Sequence, residues 1–163
     1  MNFPYSVNSV VHSLTKDAFE RLNNELEDLT TRGRIEIAKV IEAARALGDL
    51  KENGDYHAAK DTQGKMEARV RQIQELLKDA VIVDSDQRFE FVSIGCIVGI
   101  RYAGDDEVET YVYGSIEEKR EGLHVLSPSS PLGLALSGKE IGDEVSYQAP
   151  GGELKVVVVE IRS

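Results

Sequence analysis

Residues 56–80 read YHAAKDTQGKMEARVRQIQELLKDA, and this stretch decides the fold of the first half of the chain. Positions that alternate three and four residues apart form one stripe along it: Tyr56, Ala59, Gln63, Met66, Val70, Ile73, Leu77 and Ala80. All of them except Gln63 are largely apolar. This spacing is typical of the seam of a coiled coil. It therefore predicts a helix whose stripe must be buried against a partner helix.

The partner helix is predicted directly upstream. A matching stripe consists of Phe19, Leu22, Leu26, Leu29, Ile37, Ile41 and Ala44. We expect Thr15 to cap the first turn of this helix and Gly33 to interrupt it. A helix over 15–47 would be about 50 Å long. The short segment 48–54 makes the two helices antiparallel, which gives a hairpin. Periodicity alone does not decide between a hairpin that reaches into a partner and a dimerisation arm.

The second half of the chain has a different pattern. Short β-branched runs, separated by glycine and proline, predict strands over 95–102, 107–113, 123–126, 144–148 and 153–161. Residues 131–136 are predicted to form one short helix. The fold class is therefore α+β. We divide the chain into a leader over 1–13, a helical hairpin over 14–81 and a sheet domain over 82–163, whose twisted sheet we expect to be antiparallel.

Composition limits the classes of partner. The 163 residues carry a net charge of −10. Free duplex-DNA binders normally present a basic surface, so the charge argues against that class and favours a basic protein surface as partner. The single cysteine, Cys96, excludes a disulfide within the chain and is expected to be buried. Without a signal peptide or a long apolar run, the sequence predicts a cytoplasmic protein that does not enter a membrane.

The connection between the helices reads GDLKENGD over residues 48–55 and is rich in acids. Asp49 and Glu52 are three residues apart, so both carboxylates face the same side if the first helix continues through the tip or a single turn forms there. Two carboxylates are too few to hold Mg²⁺ alone, because this ion requires six oxygen ligands. They fit half of a shared site, completed by another molecule in the manner of two-metal phosphoryl transfer. Alternatively, both acids are merely solvated or cap a helix end.

Basic residues face one another across the predicted hairpin. Antiparallel pairing brings together Arg32 with Arg71, Arg34 with Arg69, and Lys39 with Lys65. This basic band is a candidate contact for RNA phosphates. The alternative is that these side chains form ion pairs across the hairpin with Glu36, Glu42 and Glu67.

The tip and several later segments resemble one protein family. Residues 48–60, GDLKENGDYHAAK, are similar to the hairpin tip of the bacterial transcript cleavage factors of the Gre type, the GreA/GreB family. The likeness continues through SPSSPLG at 127–133, GKEIGDEV at 138–145 and PGGE at 150–153. The chain departs from the family in having Ile35 where proline often follows arginine, and Lys60 where arginine is expected.

The resemblance implies a coiled coil followed by an FKBP-like domain. It implies that the sheet domain docks at the rim of the secondary channel of RNA polymerase, and that the hairpin enters the channel. There Asp49 and Glu52 would help to hold a magnesium ion and the attacking water near the 3′ end of the nascent RNA. Further residues would support the tip: Asn53, Asp55, Tyr56 and Lys60. Asn53 and Asp55 would orient the loop or contact polymerase, although capping of a helix end explains them as well. The protein would be a monomer that stimulates cleavage by polymerase and is not itself a nuclease.

Other functions remain open at this level. The same scaffold suits an inhibitor that fills the channel without supporting cleavage, although the pair of Asp49 and Glu52 favours the cleavage factor. A coiled-coil adaptor and a prolyl isomerase are alternatives from other classes. The isomerase is disfavoured because only 6% of the chain is aromatic.

Overall fold

The structure is a computed structural model, and it describes residues 12–49, 51–83 and 89–163. The chain divides into two compact units. One unit is Glu20–Asp79 and is helical; the other combines residues 12–19 with Ala80–Ser163 and is built around a sheet. The leader predicted over 1–13 falls outside the described residues up to residue 11, whereas His12 and Ser13 belong to a strand.

The hairpin contains three α-helical segments. They are α1 (Lys16–Asp28), α2 (Arg34–Arg45) and α3 (Gly54–Lys78). Between α1 and α2, the residues Leu29–Gly33 form a π-helical turn. The backbone stays helical at both of its ends, with φ −61° and ψ −47° at Asp28 and φ −58° and ψ −45° at Gly33. The interruption predicted at Gly33 is therefore a widened turn in a continuous helix.

Two threonines explain where the widened turn lies. The Thr30 hydroxyl donates to the Leu26 carbonyl at 2.7 Å, and the Thr31 hydroxyl donates to the Glu27 carbonyl at 2.6 Å. Such bonds compete with the regular backbone ladder and distort helices. Gly33 contributes space, because a Cβ there would lie 3.1 Å from the Met66 sulfur.

The predicted stripes form the interface between the helices. Ile37, Ile41 and Ala59 are buried together, and the half-buried Tyr56 and Met66 pack against them. Other stripe members are also buried: Leu22, Ala44, Val70 and Ile73. Ala80 is the exception, because α3 ends at Lys78 and Ala80 begins the next strand.

A short parallel ladder, which the sequence did not predict, joins the two chain segments at the base of the hairpin. Strand β1 (His12–Thr15) leads directly into α1, and strand β2 (Ala80–Val83) follows shortly after α3. The two strands pair in parallel from His12 with Ala80 to Thr15 with Val83.

The sheet contains all five predicted strands. They are β3 (Ile97–Tyr102), β4 (Val108–Tyr113), β5 (His124–Leu126), β6 (Glu144–Ala149) and β7 (Gly152–Arg162), in the order β5-β4-β3-β7-β6. The predicted helix is α4 (Pro131–Leu136), and a 3₁₀ turn covers Ile116–Glu118. The α+β fold class is confirmed. The sheet is mixed rather than wholly antiparallel, because β5 returns beside β4 in parallel after the 3₁₀ turn.

The core of the sheet unit lies between the sheet and α4. Val98, Ile100, Tyr113, Leu136 and Val156 are among its fully buried side chains. Cys96 is buried there as predicted. In the ranges that the structure describes, no helix is long and apolar enough to span a membrane.

Candidate functional site: the hairpin tip

The tip is the turn between the end of α2 and the start of α3. Gly48 has a φ of 135°, a left-handed conformation that favours glycine, and it directs the chain out of the helix. Asp49 and Glu52 follow it, and both are exposed. Leu50, between them, lies outside the described residues. The two predicted acids thus occupy one short connection at the end of the hairpin.

Asn53 connects the two helices that carry the tip. Its side-chain oxygen accepts a hydrogen bond from the Tyr56 N–H at 3.1 Å, which caps the N-terminus of α3. Its side-chain amide donates to the carbonyl of Ala44 at 2.6 Å, near the C-terminus of α2. One side chain therefore satisfies backbone groups at both helix ends. The sequence predicted a capping or loop-orienting role, but not this double contact.

The aromatic ring of Tyr56 contacts side chains on both sides of the tip. The Arg45 guanidinium lies 5.7 Å from the centre of the Tyr56 ring, within the range of a cation–π contact. The His57 ring meets the Tyr56 ring edge-on, with their centres 5.7 Å apart. Because Tyr56 also packs on the cluster that contains Ile41, its predicted core role is consistent with its position. The turn that forms the tip is therefore flanked by packed side chains.

The remaining support residues lie on α3. Asp55 is in its first turn, where a carboxylate complements the helix dipole. The Lys60 ammonium donates to the Gln63 side chain at 2.5 Å. Lys60 also lines a groove of about 390 Å³ together with Arg45 and Glu42. Lysine makes a single-point contact here, where arginine would offer a planar fork.

Asp49 and Glu52 lie outside the helices, because α2 ends at Arg45 and α3 begins at Gly54, so the first helix does not continue through the tip. The Asp49 side chain accepts a hydrogen bond from the Lys51 N–H at 3.2 Å, which folds the turn locally. Across the described ranges, no group of three or more Asp, Glu, His or Cys side chains is placed to hold a metal ion. Because Mg²⁺ requires about six oxygens, two carboxylates would need further ligands from another molecule, and the shared magnesium site stays a prediction.

Four members of the basic band have carboxylate partners. Arg34 binds Glu67 through two bonds of 2.9 and 3.0 Å, and Arg69 binds Glu25 through bonds of 2.7 and 2.9 Å. The pKa of the Glu67 carboxyl is lowered mainly by its hydrogen bond from Arg34, and that of Glu25 mainly by its hydrogen bond from Arg69. These pairs cross the hairpin and compensate part of the positive charge.

The other two pairs are local. Lys65 lies 2.7 Å from Asp61, and Arg32 lies 2.7 Å from Asp28 and 3.5 Å from Glu36. Of the partners predicted across the hairpin, Glu67 is confirmed, whereas Glu36 contacts Arg32 locally, one turn along the same helix. No ion pair described by the structure involves Glu42, and Asp28, Glu25 and Asp61 were not predicted. Lys39 and Arg71 are exposed, and the charge of Arg71 also lowers the pKa of Glu67. Whether the basic band contacts RNA stays a prediction.

We expect Asn53→Ala to lower the free energy of unfolding of the hairpin by about 1–2 kcal/mol, since it removes both hydrogen bonds. Asn53→Ser keeps a capping oxygen but is too short to reach Ala44, so its loss should be about half as large. Thermal unfolding followed by far-UV circular dichroism measures both, with Lys51→Ala as the exposed control. Equal losses in the two Asn53 variants would contradict the double contact.

Comparison with protein families covers nearly the whole chain. A family model described as "Transcription elongation factor, N-terminal" matches residues 12–82. A second, described as "Transcription elongation factor, GreA/GreB, C-term", matches residues 86–163. The first match ends within β2, and the second begins three residues after that strand.

Individual relatives agree with the family models. The chain is 44% identical over 149 residues to transcription elongation factor GreA of Saccharopolyspora erythraea, covering 90% of this chain and 91% of the relative. It is 43% identical over 140 residues to GreA of Nautilia profundicola, covering 85% and 86%. Among solved structures, the transcription factor Gfh1 is 27% identical with a TM-score of 0.47, covering 96% of this chain and 100% of that one.

Proposed function

Because the chain belongs to the GreA/GreB family of transcription elongation factors, we propose that it enters the secondary channel of RNA polymerase and stimulates the polymerase's own cleavage of backtracked transcripts. The sheet domain docks at the rim of the channel, and the hairpin brings Asp49 and Glu52 to the 3′ end of the nascent RNA. The factor acts as a monomer and has no nuclease activity of its own.

The construction of the tip is the observation that supports this proposal. Asp49 and Glu52 are exposed at the end of a hairpin whose two helices are joined by Asn53. A long two-helix arm that carries acids at its end, supported by the packed Tyr56 side chain, is suited to bringing carboxylates into another molecule's active site. Positioning of this kind lowers reaction barriers because the catalytic groups are held in place before the reaction begins.

The chemistry assigned to each residue follows from its donor atoms. Asp49 and Glu52 would hold a magnesium ion together with groups of the polymerase. Such an ion supplies Lewis acidity and a more acidic bound water in two-metal phosphoryl transfer. The carboxylates also orient water through hydrogen bonds, and Asn53 with Tyr56 keeps the turn that carries them in place. Because the remaining ligands belong to polymerase, the isolated protein should not hydrolyse RNA.

The experiment is a purified backtracked elongation complex mixed with the protein and Mg²⁺. Short RNA fragments carrying the original 3′ end should be released faster than from the complex alone, and the shortened transcripts should resume elongation. Binding that slows elongation without releasing fragments would instead identify a channel-filling inhibitor. No binding would direct attention to an adaptor or a prolyl isomerase, which light-scattering mass and a proline-isomerisation assay would test.

As part of the same proposal, the basic band guides the extruded RNA. Charge reversal in Lys65→Glu combined with Arg69→Glu should lower RNA crosslinking to the hairpin about threefold or more, since lost phosphate contacts weaken binding. Lys119→Glu, an exposed reversal in the sheet unit, is the control. Undiminished crosslinking in the double variant would mean that the basic band does not contact RNA and serves only to form ion pairs.

A further inference from the structure

A buried carboxylate binds the residue that immediately precedes the first helix. Glu118 is 2% exposed and Thr15, the last residue of β1, is 3% exposed. One Glu118 oxygen accepts the Thr15 N–H at 2.8 Å, and the other accepts the Thr15 hydroxyl at 2.7 Å. The two residues are 103 positions apart in sequence. They belong to the same compact unit, since residues 12–19 pack with the sheet.

The local chain is shaped to present this carboxylate. The Ser115 side chain accepts a hydrogen bond from the Glu117 N–H at 3.3 Å and starts the 3₁₀ turn that ends at Glu118. Gly114 leaves the space for it, because a Cβ there would lie 2.7 Å from Glu118 Cγ. A larger residue at position 114 would displace Glu118.

Thr15 links this carboxylate to α1. Its hydroxyl donates to Glu118 and accepts from the Ala18 N–H at 3.2 Å, so it caps the helix and binds the carboxylate together. An anion is favoured at a helix N-terminus, where the dipole is positive. The contact therefore needs Thr15, Glu118 and the first turn of α1 in one arrangement.

A buried carboxylate is an unusual way to gain stability. Its desolvation costs free energy that hydrogen bonds only partly return, and apolar packing is often as stable. In this contact, the Thr15 N–H and hydroxyl reach the two Glu118 oxygens only when both residues keep their observed positions, so the paired bonds restrict the geometry. The site lies beside the β1–β2 ladder, which ties together the segments that enter and leave the hairpin.

We propose that Glu118 is a positioning residue for transcript cleavage: by binding Thr15 through both oxygens, it holds the first turn of α1 in one geometry within the sheet unit. The helix that leads to the tip begins at this turn. This inference rests on the proposed function. Glu118 touches neither RNA nor the reacting atoms, and its effect is carried through the continuous helix from α1 to α2.

The test compares Glu118→Gln, Thr15→Val and Thr15→Ser in the backtracked-complex assay, using the full chain. Glu118→Gln loses one acceptor, Thr15→Val loses the hydroxyl with little change in shape, and Thr15→Ser keeps it. At saturating protein, the maximal cleavage rate should fall about tenfold in the first two variants, in line with the cost of misplaced catalytic groups. The half-saturating concentration should change little, and Thr15→Ser should retain the wild-type rate.

A second readout does not depend on cleavage. Cys96 is buried, so nitroxide labels can be attached at Asp17→Cys in the first turn of α1 and at Ser146→Cys in the sheet, both exposed positions of the same unit. The distance distribution between the labels should broaden in Glu118→Gln and stay unchanged in Thr15→Ser. A wild-type rate together with an unchanged distribution in Glu118→Gln would overturn the inference. Absence of cleavage by the wild-type protein would refute the proposed function instead, leaving the label measurement to decide the role of Glu118.

Discussion

The double variant Asp49→Asn with Glu52→Gln should lose transcript cleavage, with the rate of fragment release falling about 100-fold or more, a drop typical for removal of groups that stabilise charge in a transition state. Both substitutions keep the size of the side chain and remove its negative charge. The amides are far weaker ligands for Mg²⁺ than carboxylates. The initial rate of 3′ fragment release from a backtracked complex measures the effect.

Two controls separate this loss from a folding defect or a binding defect. Both acids are exposed, so the variant should melt within a few degrees of the wild type. It should also compete with unmodified protein for polymerase, because the docking surfaces are unchanged. Glu75→Gln, which removes an exposed acid from α3 outside the tip, should retain most of the activity. Normal cleavage by the double variant would remove Asp49 and Glu52 from the proposed site.

The variant Gly133→Ala should destabilise the sheet unit by about 3 kcal/mol or more, which places it among the severe single substitutions. A Cβ at this position would lie 1.9 Å from the Ser127 carbonyl oxygen, a backbone atom that cannot move independently. Displacing Gly133 would also disturb its carbonyl, which accepts the buried Tyr113 hydroxyl at 3.0 Å. Denaturant unfolding followed by tyrosine fluorescence measures the loss, and the chain contains no tryptophan to obscure it.

Gly151→Ala is the matched control for this substitution. A Cβ at Gly151 meets nothing within 4 Å, and this glycine is not among those with a positive φ. Its free energy of unfolding should change by no more than about 0.5 kcal/mol. If Gly133→Ala were equally mild, the contact between α4 and the Ser127 carbonyl would have to be looser than the structure shows.

Local patterns were sufficient to predict most of the fold. The strand over 144–148 and the one over 153–161 differ from β6 and β7 by at most one residue at either end, because alternating β-branched runs between turns are a short-range signal. The parallel pair of β1 and β2 had no such signal. Each strand has four residues, and the partners are separated in sequence by the whole hairpin. The parallel return of β5 likewise depends on the path of the connection.

In the candidate site, too, features with a local sequence signal were predicted and contacts between distant residues were not. Asp49 and Glu52 were identified by their spacing and by the resemblance of the tip, and capping chemistry pointed to Asn53. The bond from Asn53 to the Ala44 carbonyl joins separate helices, so sequence spacing could not indicate it. The partners of Arg69 and Arg34 depend on the stagger between the helices, which the stripe defines only to within about a turn. The contact of Glu118 with Thr15 had no sequence signal.

The widened turn at Leu29–Gly33 keeps the apolar stripe of the first helix in phase. Leu29 and Ile37 are eight residues apart, one more than a heptad, so an ordinary helix of 3.6 residues per turn would rotate Ile37 roughly 80° away from Leu29. A π-helical turn accommodates one additional residue with nearly the same rise. The turn therefore absorbs a single-residue insertion and restores the phase of the stripe, which lets Ile37 and Ile41 face α3 in spite of it.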